Sequence, residues 1–362
     1  MTKKNLFISL ALQFVVSLSI LAQGTKTVSI NPNIPAQYTD IQSALDAADA
    51  GDTLFIHPAS DRYDGEDSIF ITKPLVLIGG GIYNDSLEYG GLETKFNRIV
   101  LTGAADNSTI ANMMIERLVI RDSVVANTTF DGITITSNYI NRIDLFSTDS
   151  VFSSSDFVIK NNIIKLVFFN AWEAIEGDVK LAIENNIIGQ IANGNGDEFS
   201  IRNNIFNPAI FGGTALFNVS GATIFNNIFY GYTEKRGIGT KSCNNNIFDY
   251  NLTQETNDDL SGGTDNVFGS NNIENTNPLW VSRYSYFSSL DNIMRSNFEL
   301  QEGSPAKDSG SAGTNIGLTG GRFPFNPRVR FGYPHVRSIE INNPVLGADN
   351  VLKFTIEGIF PN

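Results

Sequence analysis

Apolar and polar positions change their period along the chain. Ile41, Ala44, Leu45 and Ala48 recur at i, i+3, i+4 and i+7, one face of a helix, so the spacing predicts a helix over Thr39–Ala50. Thr39 offers an N-cap, Gln42 three residues later completes a capping box, and Gly51 stands where a C-cap glycine belongs. On either side the pattern turns strand-like, over Thr27–Asn31 before the helix and over Asp52–Ala59 and Asp67–Gly81 after it. One short amphipathic helix ahead of many strands suits a lid. A stack of β-coils has an open apolar end that is sticky unless something covers it.

A long repeat region follows. Asn recurs before an apolar pair at Asn138, Asn162, Asn186, Asn204, Asn227 and Asn246, with successive separations of 24, 24, 18, 23 and 19 residues. A near-regular period of about 20 residues marks a solenoid, with the uneven lengths absorbed by loops. Asn suits the sharp bend between sheets because it tolerates the left-handed conformation. Equivalent Asn residues in successive coils would lie about 4.8 Å apart and bond one another as a ladder. The Ile and Phe beside them are expected to point inward and stack as a core. A cluster of helices does not fit, because Asn and Gly recur inside the apolar segments.

From about Asn275 the repeat fades into turn-rich sequence, read as an irregular C-terminal closure, and Pro334–Asn362 alternates as two or three strands would. At the other end, Lys3 and Lys4 precede an apolar run over Leu6–Ala22, short for a membrane span and with a small residue at Ala22-Gln23, which predicts a cleaved signal peptide over residues 1–22. A retained anchor is the competing reading. Removing both lysines lowers the formal charge from −13 to −15. So acidic a surface argues against nucleic acid or an anionic membrane as partner. Cys243 is the single cysteine, which excludes an intrachain disulfide and reads as a buried thiol; His57 and His335 are the only histidines, which excludes a His-rich metal site.

Three stretches together resemble the right-handed parallel β-helix, or pectin-lyase-like, superfamily. Tyr38–Gly81 is similar to its N-terminal cap and first coils, the "NNII" and "NNIF" coils to its repeat, and "NPLW" with "NFELQEGSPAKDSGSAGTNIG" to the closing segment of secreted bacterial members. The Asn-rich style and the tail also look like secreted proteins of Bacteroidetes-type bacteria. The resemblance implies an all-β fold, a right-handed parallel β-helix over 25–321 with an N-terminal amphipathic capping helix and a short β tail over 322–362. It implies no single activity, since the superfamily includes lyases, hydrolases, esterases and adhesins.

Each chemistry common on this scaffold lacks something here. The paired Asp and Gln motifs of pectin-methylesterase-like enzymes are absent, and so is the Gly-His-Gly of polygalacturonase-like hydrolases. A pectate-lyase-like reaction needs a basic residue and Asp-held Ca²⁺. Lys160, Lys165, Lys180, Arg202, Lys235, Arg236 and Lys241 supply bases in no recognisable motif, and solvated surface charge is the competing reading of each. Two acidic groups are Ca²⁺ candidates, Asp64, Glu66 and Asp67, and Asp258, Asp259 and Asp265, against ordinary turn chemistry. Trp172, Tyr230, Tyr232 and Tyr250 are candidates for stacking on sugar rings, against simple packing. Gly79-Gly80-Gly81 and Gly262-Gly263 read as turns, since no Gly-Lys-Ser/Thr follows.

Two functions stay open on sequence. One is an exported or cell-surface β-helix presenting an extended face to polysaccharide, with no cofactor required. The other is a lyase or hydrolase acting on an acidic polysaccharide. Catalytic residues and oligomeric state cannot be named from the sequence. A groove where carboxylates, a base and aromatics converge would separate the two from a smooth Asn/Ser/Thr face.

Overall fold

The computed structural model describes residues 24–65, 67–82, 92–121, 130–146, 154–169, 179–207, 214–230, 243–254, 263–283, 290–327, 335–341 and 354–359. The expected signal peptide lies outside them. Among the described residues no helix is long and apolar enough to cross a membrane.

The chain winds as a parallel β-helix, most coils giving a strand to each of two sheets. Sheet 1 has 11 strands, from Thr25–Val28 through Thr134–Thr136, Ser154–Lys160 and Val179–Glu184 to Val267–Phe268. Sheet 2 has 10, from Ser68–Ile71 through Lys95–Leu101, Met114–Arg121, Tyr139–Phe146, Ile163–Phe169 and Ile187–Ala192 to Leu252–Gln254. All pairings within both sheets are parallel, as between Ile164 and Ile140 or Ile183 and Ile201. Connections of this kind take the right-handed sense. Inward positions stack coil on coil, so Phe206 lies over Phe229 with ring centroids 4.9 Å apart and Phe248 over Phe268 at 5.3 Å.

The bend from sheet 1 to sheet 2 takes two residues, and the structure splits between them the two jobs expected of one Asn. The first residue is left-handed: Asn112, Ser137, Asn161, Asn185, Asn203, Asn226 and Tyr250 have φ between 53° and 59°. The second forms the ladder. Asn138, Asn162, Asn186, Asn204, Asn227 and Asn251 each donate their backbone N–H to Oδ1 of the next, ending at Asn272, at 2.9–3.0 Å. Their Nδ2 groups turn back to carbonyls, as Asn162 does to Ile135 and Lys160. The expected ladder is corrected at its last step. Asn251 stacks on Asn227, and Asn246 instead starts a strand of sheet 1 in a second short ladder with Asn266. The "NNNIF" motif is sequence-similar but sits at a different corner of the coil.

The capping helix is α1, Ile41–Ala47, shorter than expected. Asp40 caps it, its carboxylate accepting from the amides of Gln42 and Ser43, so Thr39 is not the cap. An ionised carboxylate is the stronger acceptor for those orphan amides. The helix ends at Ala48, and Gly51 follows in a turn at φ 90°. Ile41, Ala44, Leu45 and Ala48 are buried on the first coil as the periodicity predicts.

Only half of each apolar pair enters the core. Consecutive strand residues face opposite sides, so Ile164, Ile188, Phe206 and Phe229 point inward while Ile163, Ile187, Ile205 and Ile228 belong to a second apolar cluster outside the coil. The C-terminal segment covers that outer row. Trp280–Ser282 pairs antiparallel with Asn297–Leu300 around a short helix α2, Leu290–Arg295, and residues 304–325 then run back lengthwise along the Asn corner. The left-handed Asn residues hold this strap. Asn226 bonds Ser311, Asn203 the carbonyls of Asn315 and Gly317, and Asn185 those of Leu318 and Gly320. Arg322 then forks onto the buried Glu184.

Among the described residues, the C-terminal segment forms a strap along one side of the coil. At the end itself the inward Phe268 remains 46 % exposed. The tail forms one antiparallel pair, His335–Ile341 with Phe354–Ile359.

Asn186→Ala is expected to destabilise the protein by about 3–5 kcal/mol, because it orphans several buried polar groups at roughly 1–3 kcal/mol each. Asn161→Gly, which keeps the left-handed bend and removes no ladder bond, is expected to cost under about 1 kcal/mol. Chemical denaturation measures both. Gly317 packs at φ 86° with its added Cβ 2.6 Å from Ile228 Cδ1. Gly317→Ala is therefore expected to lift the strap, seen as faster amide exchange at Ile316 and Phe325 with Ile187 still protected.

Candidate functional site

The outward face of sheet 2, ahead of the strap, carries a motif repeated in three successive coils: "FNRIVL" at 96–101, "IERLVI" at 115–120 and "INRIDL" at 140–145. The register aligns Arg98 with Arg117 and Arg117 with Arg142. Three guanidiniums thus project from one face, one per coil and about 4.8 Å from strand to strand. Like charges directly opposite on neighbouring strands destabilise a sheet. In a chain of 25 Lys and Arg against 38 Asp and Glu, such a row works against the overall charge balance.

One buried carboxylate offsets part of this repulsion. Asp144 lies two residues beyond Arg142, is fully buried, and accepts from Nε of Arg117 at 2.5 Å and Nε of Arg142 at 2.7 Å. The two arginines stay exposed by 36 % and 38 %. Bonding through Nε fixes each side chain near its base and leaves the Nη groups as donors. Arg98 has no ion pair among the described residues.

Aromatics bracket the row. Phe70, Val100, Val119, Asp144 and Phe168 fall in one register line beside the arginines. Arg121 lies over the exposed Phe70, 5.8 Å from its centroid, and Arg142 over Phe168 at 4.5 Å. Such contacts hold a guanidinium plane while its edge remains free to donate. On the other flank, Arg62 is 3.9 Å from Glu116, which accepts from Asn141 at 2.6 Å.

Asp64 shapes the row from below. Its oxygens accept from the amides of Asn97 at 2.8 Å and Arg98 at 2.6 Å, at the bend where the pairing skips a residue. Burial pushes its carboxyl up, against the pull of those two amides. Asp64 is thus committed to the backbone. Asp265 is a left-handed turn residue, while Glu66, Asp258 and Asp259 lie outside the described residues. Among the described residues no group of three or more His, Cys, Asp or Glu gathers to hold a metal ion.

The other sequence candidates are scattered. Among the described residues, Lys165 is the one of these candidate bases that lies on sheet 2, 5.7 Å from the Tyr139 ring. On sheet 1, Lys160 sits over Phe323 of the strap at 3.8 Å, Lys180 pairs with Glu198 at 3.5 Å, and Arg202 lies over Phe225. Burial, then the Arg322 charge, pulls Lys160 down. Tyr230 is buried against Trp280, and Tyr250 is a left-handed bend residue. Trp172, Tyr232, Lys235, Arg236 and Lys241 lie outside the described residues. Cys243 is buried, its thiol pushed up to about 11 by desolvation, as an inert cysteine should be.

Sequence reasoning missed Arg98, Arg117, Arg142 and Asp144. Their signal was the repeated apolar-polar-Arg-apolar motif, which begins before the Asn repeat becomes visible. Asp144→Ala is expected to cost about 1–2 kcal/mol, since it breaks two ion pairs to arginines that water can resolvate; thermal and denaturant unfolding read it. No protein-family model matches the chain, and no curated protein matches its sequence.

Proposed function

We propose that this protein is an exported binding protein whose arginine-lined face on sheet 2 holds an acidic polysaccharide. The observation that carries the reading is the aligned row Arg98, Arg117 and Arg142 on an otherwise acidic chain. Guanidinium donors match carboxylate and sulfate geometry. Rigid strands keep the donors in place, so a long ligand orders few protein groups as it binds. The resemblance to secreted pectin-lyase-like proteins supports the same direction, as does the leader expected over residues 1–22.

Binding is favoured over catalysis by what surrounds the row. Among the described residues, its buried carboxylates are both engaged, Asp144 by two arginines and Asp64 by two backbone amides. Neither is free to act as acid or base or to hold a cation. Ca²⁺ is accordingly not required in this reading.

In affinity electrophoresis, polygalacturonate and alginate are expected to retard the protein at low salt, with retardation lost toward 0.5–1 M salt as screening lengths fall to a few ångströms (order of magnitude). A neutral glucan is expected to leave its mobility unchanged. Equal retardation by neutral and acidic polymers, or none by any acidic polymer, would overturn the proposal.

A further inference from the structure

We infer that two copies of this chain pair through the outer face of sheet 1, coil against equivalent coil, about a two-fold axis parallel to the solenoid axis. The inference goes beyond the binding role proposed for sheet 2 and does not depend on it. The register aligns one outward position on each of the 11 strands of sheet 1, from Thr25 through Thr109, Thr134, Val158 and Thr223 to Val267. The alternate positions, from Leu54 to Phe248, belong to the core, so this row faces out. None of its residues is charged; all are Thr, Val, Ile, Ser or Ala. A solvated surface is roughly a quarter to a third charged, so a row of 11 positions would ordinarily hold about three charges.

The row has the size that an interface needs. Steps of about 4.8 Å from strand to strand make it roughly 50 Å long, and a strip about four residues wide spans ~13 Å. Two copies would bury on the order of 1,300 Å² in all, within the range of specific protein pairs. The contact would also cover Ile247 and Val267, which a single copy leaves 45 % and 59 % exposed. A chain of formal charge −13 repels its own copies, so they approach best along a strip without charge.

The charges beside the row select a second copy and set the axis. On the edge toward the strap stand Lys160 and Arg202, with Glu184 between them already held by Arg322. On the opposite edge of the same three strands stand Asp156, Lys180 and Glu198, all exposed. Lys180 and Glu198 are 3.5 Å apart, an exposed pair whose members exchange partners at little cost. A two-fold axis along the row lays each edge of one copy on the opposite edge of the other, coil for coil. Lys160 then meets Asp156 of the second copy, and Arg202 meets its Glu198. Turning the second copy end over end about Ala182 would instead set Lys160 against Arg202 and Asp156 against Glu198, like charge on like. In the favoured arrangement every residue of the row faces its own equivalent, as an isologous contact requires.

Sedimentation velocity over a concentration series, with no polymer present, tests this. The protein is expected to pass from monomer to dimer at roughly 1–100 µM, the range of a modest interface. Thr134→Arg sets two guanidiniums face to face and should weaken the dimer at least about 100-fold, and Thr223→Arg should do the same further along the row. Glu198→Lys and Arg202→Glu should each weaken it about tenfold, since the two-fold breaks each pair twice. The double exchange Glu198→Lys with Arg202→Glu should restore it. Lys165→Gln, on sheet 2, should leave it unchanged, and circular dichroism checks that each variant folds.

A monomer at every concentration, a dimer indifferent to both arginine variants, or no recovery in the double exchange would overturn the inference. Each of these outcomes leaves binding by the sheet 2 row standing, because that face takes no part in the contact.

Discussion

The buried asparagine ladder is the interaction on which the other features rest. Each amide from Asn138 to Asn251 accepts from the coil before it and donates back to a carbonyl of that same preceding coil. A buried amide left unpaired costs about 1–3 kcal/mol, and a slip of one residue would unpair several at once. A slip would also turn every outward side chain inward. The ladder therefore fixes where each strand begins, and every row on the outer faces inherits that alignment. Without it, Arg98, Arg117 and Arg142 would be three unrelated surface charges.

The left-handed residue beside each ladder Asn has a second consequence. Its side chain faces out of the bend, where Asn185, Asn203 and Asn226 tie down the strap. The strap in turn buries the outward isoleucines Ile163, Ile187, Ile205 and Ile228, each worth about 1.5–3 kcal/mol when fully buried. It reaches as far as Lys160 and Phe323, one coil past the arginine row. Sheet 2 is thus divided lengthwise, with a covered apolar stretch and a charged stretch that the strap leaves open.

Much of the scaffold was legible because it repeats. The Asn-apolar unit revealed the solenoid, and the period of Ile41 to Ala48 revealed the capping helix. Asn246 was assigned to the wrong ladder because two corners of one coil carry the same local sequence, and only strand pairing tells Asn246 from Asn251. The strap was hidden because a single sequence does not show that half of each "II" pair faces out. In retrospect an apolar residue at every outward position signals a second layer. The arginine row was readable in "FNRIVL", "IERLVI" and "INRIDL", but spacings of 19 and 25 residues disguise it until the loops are set aside. Asp144 was not readable at all, since its burial depends on two arginines brought together by register.

Protection of arginines from a dicarbonyl reagent, mapped peptide by peptide with and without polygalacturonate, tests the central claim most directly. The account predicts that the polymer shields Arg98, Arg117 and Arg142 while Arg202 and Arg295 react as before. Equal modification of all five with polymer bound, or shielding confined to Arg202 on sheet 1, would contradict it.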